Sequence, residues 1–319
     1  MLALLGERGF PAAEIVPFAS ERSAGRALGD GRVIQPLTEE TIRGFDIALF
    51  SAGATVSRVW GPRFVQEGAI VIDNSSAFRR DPDVPLVVSE VNPHALEGAR
   101  GLIANPNCST MQLMVAVAPI HRAVGIERLV VATYQSVSGT GKKALDELER
   151  QARAHLDGED FPPPEVYPEP IAFNVIGAAG SFPDGDDHTD EERKMMFETR
   201  KILQDESIGL AVTCVRVPVA VGHSEAVNVQ TRAPLSASEA RDLLRAAPGI
   251  VLQDVPTPLG CAGHDEVFVG RLRGDDSHPR ALSMWVVSDN LRKGAATNAV
   301  QIAELVAGLP DVRNATQLA

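Results

Sequence analysis

The sequence predicts an α/β protein with two domains, a doubly wound parallel sheet followed by a mixed α+β domain. The length of 319 residues fits two domains of about 150 residues each. Short apolar runs alternate with helix-like segments up to residue 108. Long β-rich runs with a few helices follow, which is typical of an α+β domain.

The first domain is predicted from short apolar runs that end in small or polar residues. Residues 1–10 are predicted to form a helix that ends near Gly9. The runs EIVPFAS, FDIALFSAG and GAIVIDNSS are predicted to be strands. Parallel strands of this kind present their loops to a ligand, so the pattern is typical of a Rossmann-like sheet.

The second domain is predicted from long β-rich runs with helices between them. The runs are RLVVATYQSVSG, GLAVTCVRVPVAVGHSEAVNVQTRA and HPRALSMWVVSD, and the helices are GKKALDELERQARAHL and DEERKMMFETRKILQ. The final segment, KGAATNAVQIAELVAGL, has the spacing of one amphipathic helix. We therefore assign residues 1–108 plus 292–319 to the first domain and residues 109–291 to the second.

Composition and charge exclude several classes of partner. The net charge is −12 and no cluster of Lys and Arg forms a basic stripe, so nucleic acid is not expected to bind. No apolar run approaches the ~20 residues of a membrane helix, and the first residues lack the cationic leader of a signal peptide. The three cysteines, odd in number and widely spaced, fit neither a disulfide framework nor a zinc site. We expect a protein without a metal and with reduced thiols, in the cytoplasm.

The segment IANPNCSTMQLMVAVAPI contains the strongest candidate for a nucleophile, Cys108. A strand is predicted to end at Asn105 and a helix to begin near Ser109, which places Cys108 at a helix N-terminus. The N–H groups and the dipole of a helix N-terminus lower the pKa of a thiol, and the resulting thiolate can attack a carbonyl. The alternative is a buried structural cysteine. Cys214, in the apolar run AVTCVRV, is predicted to be a core residue, and Cys261 lies in a predicted loop without an assigned role.

Three polar residues of the β-rich region are candidate site residues. His223 follows an apolar stretch, and the histidine reference pKa of ~6.5 suits proton transfer. Arg216, earlier in the same strand-like region, needs an anion from the protein or from a substrate. Gln135, before a Gly/Ser loop, is placed to orient a substrate carbonyl. The alternatives are a structural histidine and a surface amide.

A predicted helix carries a second pair of candidates, Glu191 and Lys194. Side chains at i and i+3 share one helix face, so this carboxylate and this ammonium are neighbours. Thr189 and Glu192 form a capping-box pattern that begins the helix. The alternative for the pair is a solvated salt bridge.

Eight segments, in order along the chain, resemble the aspartate-semialdehyde dehydrogenase family. They are GFPAAEIVPFASERSAG, DNSSAFRRDPDVPLVVSEVNP, NPNCST, YQSVSGTGKKA, HTDEERKMMFETRKIL, RVPVAVGHSEAV, VFVGRLRGD and WVVSDNLRKGAATNAVQIAE. The resemblance implies a reversible, NADPH-dependent reductive dephosphorylation of L-aspartyl-4-phosphate to L-aspartate 4-semialdehyde. This reaction serves the biosynthesis of lysine, threonine, methionine and isoleucine. The second domain would be catalytic and would form a homodimer.

The resemblance also implies a role for each candidate. Cys108 would be the nucleophile that forms an acyl-thioester, His223 the general acid/base, and Gln135 the residue that orients the thioester. The substrate carries a carboxylate, an ammonium and a phosphate, which need a bidentate cation, an anion and a cluster of cations or amides. The implied contacts are Arg216 to the α-carboxylate, Glu191 to the α-amino group, and Arg79, Asn107 and Lys194 to the phosphate.

For the cofactor, the resemblance implies NADP, held by residues of both domains. The turn after the second Rossmann strand would meet the 2′-phosphate, an anion that favours arginine over an acidic residue. An arginine in a turn that is merely solvated is the alternative. The implied contacts are Ser20, Arg22 and Ser23 to the 2′-phosphate, Ser51, Ala52 and Gly53 to the ribose or pyrophosphate, and Ser138, Gly139 and Asn290 on the nicotinamide side.

The resemblance is incomplete at the N-terminus, so the Rossmann-like sheet is expected to be truncated. The family begins with a strand and a glycine-rich phosphate loop, and Met1 corresponds to a position within the helix that follows them. Two explanations stay open: the start codon is assigned too late, or the chain is short and binds NADP weakly. Two other functions also stay open, a non-catalytic dimeric scaffold and another acyl-phosphate or acyl-CoA reductase with the same thiolate chemistry.

Overall fold

The computed structural model describes residues 1–99 and 101–308, which divide into two compact units. Unit 1 comprises Met1–Val87, Pro93–Asn105 and the described residues from Ala299 onward, and unit 2 comprises Val88–Asn92 and Pro106–Asn298. The domain boundaries after residues 108 and 291 stay predictions. Residues 309–319 of the predicted first domain lie outside the described residues.

Helices and strands follow one another along most of the described chain. The helices are α1 (Leu2–Glu7), α2 (Ala54–Gln66), α3 (Cys108–Val124), α4 (Lys142–Leu156), α5 (Asp190–Leu203), α6 (Ala237–Ala246), α7 (Pro258–Cys261) and α8 (Asn298–Gly308). The strands are β1 (Phe18–Ala19), β2 (Gln35–Pro36), β3 (Ile47–Phe50), β4 (Ile70–Asp73), β5 (Leu102–Ala104), β6 (Ile126–Gln135), β7 (Gly209–Arg216), β8 (His223–Thr231), β9 (Ile250–Leu252), β10 (Val267–Gly274) and β11 (Ala281–Ser288).

Unit 1 is built around the parallel strands β3, β4 and β5, with β4 in the centre. Every residue of β4 is buried, because both faces of the strand are covered. On one face Ile72 packs in a cluster with Ile302 of α8, and on the other Val71 packs with Phe64 of α2. The predicted strand GAIVIDNSS and the predicted α/β class are therefore confirmed.

Two predictions for the start of unit 1 have different outcomes. The first helix ends at Glu7 with Arg8 as its C-cap, close to the predicted end, and Gly9 follows with φ +61°, a conformation that glycine adopts without strain. The predicted strand EIVPFAS is much shorter than expected. Only Phe18–Ala19 pair, in parallel with β2, and Pro17 before them has no N–H to donate to a ladder.

Unit 2 contains a six-stranded sheet among its described residues, in the order β7-β6-β8-β11-β10-β9. The pairs β6·β7 and β9·β10 are parallel, and the central pairs are antiparallel. Helix α3 packs on one face of this sheet and also contacts α5 and α6. The mixed sheet with helices confirms the predicted α+β architecture of the second part of the chain.

The last helix differs from the prediction of one regular amphipathic helix. A π-helix at Arg292–Thr297 precedes α8. Within this wide turn Lys293 is fully buried and donates to the Glu90 carboxylate over 2.6 Å. A buried ammonium needs such an anion, and a periodicity argument from the sequence does not include this constraint.

No helix within residues 1–99 and 101–308 is long and apolar enough to cross a membrane.

Candidate active site

Four polar side chains lie in one row at an edge of the unit 2 sheet. The parallel strands β6 and β7 both end here, and Gln135 pairs with Arg216. Strand β8 begins at the same edge, where His223 pairs with Ser288 at the end of β11. Side chains alternate along a strand, and these four lie on the buried face, towards α3.

Cys108 is the first residue of α3, above this row. Asn107 is the N-cap, and its side-chain oxygen accepts from the N–H groups of Ser109 and Thr110 over 3.0 and 3.3 Å. Gln135 donates from Nε2 to the Ser109 hydroxyl over 3.0 Å, which ties the helix start to the sheet. The predicted position of Cys108 at a helix N-terminus is confirmed. Its side chain is half-buried, so the thiol stays within reach of a substrate.

Helix α5 presents one polar face to Asn107. Glu198 accepts from the Asn107 backbone N–H, and Glu191 accepts from Asn107 Nδ2, both over 2.7 Å. Glu191 also accepts from Lys194 over 3.2 Å, so the predicted proximity of this pair is correct. The predicted capping box of α5, between Thr189 and Glu192, is confirmed.

Lys194 is a permanent cation in this cluster. Burial by itself lowers the pKa of Lys194, but the Glu191 and Asp190 carboxylates outweigh burial, and the pKa is raised. Asp190 accepts from Lys194 over 2.6 Å. Lys194 therefore keeps its charge at any ordinary pH, and an incoming phosphate has to compete with two carboxylates for it.

His223 is completely buried and is held by Ser136, which the sequence analysis did not single out. The Ser136 backbone N–H donates to His223 Nδ1 over 3.0 Å, and Nε2 has no hydrogen-bond partner among the described residues. Burial, followed by the charge of Arg216, lowers the pKa of His223 from 6.5 to about 3. The expectation of an ordinary histidine pKa is therefore wrong, because the reference value applies to a solvated ring beside no cation.

Arg216 is buried at the end of β7 and keeps donor capacity. Its Nη1 donates to the Ser136 carbonyl over 2.7 Å, and its Nε has no partner among the described residues. The guanidinium carbon lies 5.9 Å from the centre of the Tyr167 ring. The predicted need for an anion is thus unmet within the described protein, which fits a site for a substrate carboxylate. Arg216 and His223 lie on different strands, β7 and β8, although the sequence places them in one apolar run.

The loop after β6 completes this part of the site. A Cβ built on Gly139 would lie 3.1 Å from His223 Nε2 and 3.3 Å from Arg216 Nη1, so only glycine fits here without displacing them. Asn290 lies beside Ser138: its Oδ1 accepts from the Ser138 hydroxyl over 3.2 Å and from Gly222 N–H over 2.9 Å. The Asn290 oxygen is thus occupied. Its Nδ2 group donates one hydrogen to the Ser138 hydroxyl over 3.0 Å and has a second hydrogen with capacity for a cofactor.

The remaining predicted residues belong to unit 1. Arg79 is buried and donates to the Asn74 carbonyl over 2.9 Å. Ser20 and Arg22 are exposed and Ser23 is half-buried, in the turn that follows β1. Ser51, Ala52 and Gly53 are exposed between the carboxyl end of β3 and the first turn of α2.

The start of α2 has the features of a phosphate-binding site. Gly53 is its N-cap, with φ +86°, and no side chain caps the N–H groups of the first turn. Unpaired N–H groups at a helix N-terminus, after a parallel strand, are the usual partners of a nucleotide phosphate.

Comparisons with known proteins agree with this geometry. The family model of the semialdehyde dehydrogenase NAD-binding domain matches residues 1–99, and that of the semialdehyde dehydrogenase dimerisation domain matches residues 117–293. Aspartate-semialdehyde dehydrogenase of Aquifex aeolicus is 50% identical over 317 residues, covering 96% of this chain and 93% of the relative. The chain belongs to the aspartate-semialdehyde dehydrogenase family.

Two other members of the aspartate-semialdehyde dehydrogenase family have 48–50% identity to the chain. The Streptomyces akiyoshiensis enzyme is 50% identical over 319 residues, covering 96% of this chain and 94% of the relative. The crystal structure of aspartate semialdehyde dehydrogenase II from Vibrio cholerae, complexed with ASA, has a TM-score of 0.90 and 48% identity, covering 96% of this chain and 93% of that chain. The family assignment confirms an oxidoreductase with a Rossmann-like domain for a nicotinamide cofactor.

Within this family's site, several supporting residues carry no recognisable sequence signal. Ser136 contributes its backbone N–H, which donates to His223. Glu198 accepts a hydrogen bond from the backbone N–H of Asn107. Glu225, two residues after His223 on the same strand face, is completely buried, and burial raises its pKa well above the ordinary value. A period-2 pattern places such residues on a face but does not name their partners.

Gly294 of the π-helix is a positioning residue for the nucleophile. A Cβ at this position would lie 2.9 Å from the Cys108 Cβ and 3.5 Å from the Asn290 Cβ. We expect Gly294→Ala to displace Cys108 and to lower kcat by about a hundredfold, because misplacing a reacting group by about 1 Å costs that much. Steady-state kinetics at saturating substrates measure this loss.

Gly274→Ala is the matched control, because a Cβ on Gly274 meets no atom within 4 Å. We expect the control to keep the parent kcat. Parent-like turnover by Gly294→Ala would show that the close packing on Cys108 has no bearing on its position.

Proposed function

We propose that this protein catalyses the reversible, NADPH-dependent reductive dephosphorylation of L-aspartyl-4-phosphate to L-aspartate 4-semialdehyde. The observation that carries the proposal is the clustering in unit 2 of a helix-terminal thiol, a buried arginine with an unpartnered donor, and a carboxylate beside a lysine. These groups match the thioester chemistry, the α-carboxylate, and the amino and phosphate groups of that substrate.

In the proposed mechanism, the Cys108 thiolate attacks the acyl carbon and forms a thioester as phosphate leaves. Gln135, fixed on Ser109, orients the carbonyl, and His223 is the general acid/base. Arg216 binds the α-carboxylate by donating two parallel N–H hydrogen bonds. Glu191 receives the α-ammonium, and Asn107, Lys194 and Arg79 bind the phosphate.

The cofactor, when bound, supplies the hydride that reduces the thioester carbon. The protein's part is to bind and orient it. The uncapped first turn of α2 and the exposed loop at Ser51–Gly53 fit a pyrophosphate or ribose, and Ser138, Gly139 and Asn290 would face the nicotinamide. We infer NADP in preference to NAD because the turn after β1 offers an exposed arginine, Arg22, flanked by Ser20 and Ser23.

A spectrophotometric assay of the purified chain tests this function. With aspartate semialdehyde, phosphate and NADP, we expect absorbance from the reduced cofactor to appear, and with NAD a much slower rise. Arg22→Ala should lower the preference for NADP, whereas Arg26→Ala, nearby in the same segment, should not. A protein that binds NADP but does not turn over would favour the non-catalytic scaffold. Turnover with another acyl substrate only would favour a different reductase.

Lys194 provides a test of the phosphate site. Removal of its charge by Lys194→Ala should raise the apparent KM for phosphate by about tenfold, the effect of losing one charge-assisted hydrogen bond worth about 1.5 kcal/mol. The KM for the semialdehyde should change much less. Steady-state kinetics with each substrate varied in turn measure both values.

The control for this variant is Lys142→Ala, because Lys142 is exposed and pairs only with its helix neighbour Asp146 among the ion pairs described. Equal increases of both KM values in Lys194→Ala would show that Lys194 acts on the whole site through α5 and does not bind phosphate.

We further propose that the protein forms a homodimer through the sheet face opposite α3. The dimerisation-domain family model covers this sheet, and the face carries exposed apolar side chains. Val130 and Tyr134 of β6 are each 36% exposed, and the Tyr134 ring lies 5.3 Å from that of Trp285. Exposed apolar side chains grouped on one sheet face are typical of an interface.

Sedimentation equilibrium tests the dimer. We expect the parent chain to have twice its monomer mass, and Tyr134→Glu to shift it towards the monomer because a charge would be buried at the interface. Leu156→Glu changes an exposed apolar residue on another element, α4, and should leave the mass unchanged. A parent chain of monomer mass would contradict the proposal.

A further inference from the structure

The His223 ring accepts a hydrogen bond from a group that can only donate. The Ser136 backbone N–H donates to Nδ1 over 3.0 Å. A backbone N–H can only donate, so Nδ1 has to present its lone pair. The low pKa of the ring, about 3, keeps it neutral at working pH. A neutral imidazole has one hydrogen, which is therefore on Nε2.

The other contact of Nδ1 is compatible with this tautomer. The Ser136 hydroxyl lies 3.1 Å from Nδ1, and it can donate either to the Nδ1 lone pair or to Asn290 Oδ1, 3.0 Å away. The backbone N–H, which can only donate, therefore decides the tautomer. The reverse tautomer would direct an Nδ1 hydrogen against the Ser136 N–H, which is an unfavourable meeting of two donors.

The charges near the ring also favour its neutral form. Arg216 is a cation, and its charge contributes to the lowered pKa of His223. Glu225 lies on the same face of β8, and burial raises its pKa well above the ordinary value. The raised pKa disfavours the carboxylate that would otherwise stabilise an imidazolium.

The Nε2 hydrogen has no acceptor in the described protein. Nε2 is buried and has no hydrogen-bond partner within residues 1–99 and 101–308. A Cβ on Gly139 would lie 3.1 Å from Nε2, so glycine keeps side-chain atoms away from this nitrogen. Because buried donors are rarely left unpaired, an atom of a ligand is the expected acceptor.

We propose that Ser136 fixes His223 in the tautomer with hydrogen on Nε2, so that the free ring meets the reacting group as a hydrogen-bond donor. This hydrogen is available where negative charge develops on the substrate oxygen or on sulfur. The catalytic part of this inference rests on the proposed function, whereas the tautomer does not.

Nitrogen NMR of the histidine rings tests the tautomer directly. The chain has seven histidines, and the signals missing from His223→Gln identify those of His223. We expect a protonated, pyrrole-type Nε2 and an unprotonated, pyridine-type Nδ1, unchanged from about pH 5 to pH 8, because the ring is already neutral there. A coupling between the Ser136 amide nitrogen and Nδ1 across the hydrogen bond should also be visible. A pyrrole-type Nδ1, or a titration near pH 6.5, would overturn the proposal.

Ser136→Ala separates the backbone N–H from the hydroxyl. The variant keeps the N–H and loses the hydroxyl, so we expect the ring to keep its hydrogen on Nε2. Transfer of that hydrogen to Nδ1 in Ser136→Ala would show that the hydroxyl sets the tautomer, against the proposal.

Replacement of the ring tests donation during turnover. The amide of glutamine can place an N–H close to the position of Nε2 but cannot accept a proton as a base. We therefore expect His223→Gln to retain a kcat about tenfold above that of His223→Ala, as for one recovered hydrogen bond. Equal losses in both variants would contradict the donor role. Absence of turnover in the parent chain would contradict the proposed function, and the NMR result would still decide the tautomer.

Discussion

Replacing Cys108 by alanine is expected to lower turnover by more than about 10³-fold, the scale of losing a covalent nucleophile. The side chain is half-buried at the start of α3, and the N-cap bonds of Asn107 use the backbone N–H groups of Ser109 and Thr110. The variant therefore loses the sulfur and keeps the helix start. Cys108→Ser should retain only a trace of activity, because a hydroxyl is a far weaker nucleophile than a thiolate at neutral pH.

Matched cysteine variants distinguish this effect from a general loss of a thiol. Cys214 and Cys261 are both completely buried, and burial raises the pKa of each thiol, so neither is expected to react. Cys214→Ala and Cys261→Ala should cost stability on the order of 1 kcal/mol and leave kcat near that of the parent. Circular dichroism and thermal unfolding of Cys108→Ala should match the parent. Parent-like activity in Cys108→Ala would refute the mechanism.

The second large effect is expected at Arg216. Arg216→Lys keeps the charge but loses the planar pair of donors that binds a carboxylate, and it also loses the Nη1 bond to the Ser136 carbonyl. We expect kcat/KM for aspartate semialdehyde to fall by about 10²-fold or more, since breaking a buried charge pair costs about 2–5 kcal/mol. The KM for phosphate should change little.

The control is an arginine on the neighbouring strand. Arg128 of β6 is exposed, and Arg128→Lys should have the kinetics of the parent. Isothermal titration with aspartate semialdehyde separates binding from chemistry. Unchanged affinity together with a lower kcat in Arg216→Lys would show that Arg216 acts on His223 and not on the substrate carboxylate.

Much of the fold could be predicted because its signals are local. The capping box at Thr189 and Glu192 involves only neighbouring residues, so the start of α5 could be identified from four letters of sequence. The position of Cys108 at a helix N-terminus follows from the end of one apolar strand and the start of an apolar helix. The apolar run EIVPFAS predicted a longer strand than the one observed. Pro17 within it has no N–H to donate, and β1 comprises only Phe18–Ala19.

The site could be predicted in part, and largely through family resemblance. Physical reasoning predicted a shared face for Glu191 and Lys194, which is confirmed. It also predicted an anion for Arg216, which stays a prediction because Arg216 Nε has no partner among the described residues. The specific roles of these residues remain proposals. The π-helix at Arg292–Thr297 was missed, because the buried Lys293 requires Glu90, which is distant in sequence.

The sequence by itself therefore determined the elements and the residue types at the site, since helix caps, apolar periodicity and turn residues act over a few positions. Only the tertiary structure decided the protonation and the placement of those residues. Burial and Arg216 make His223 neutral, the Ser136 N–H donates to the lone pair of its Nδ1, and Gly294 leaves room for Cys108. Each of these effects depends on distances between atoms from separate strands or helices, and desolvation and close contact are not encoded in local sequence spacing.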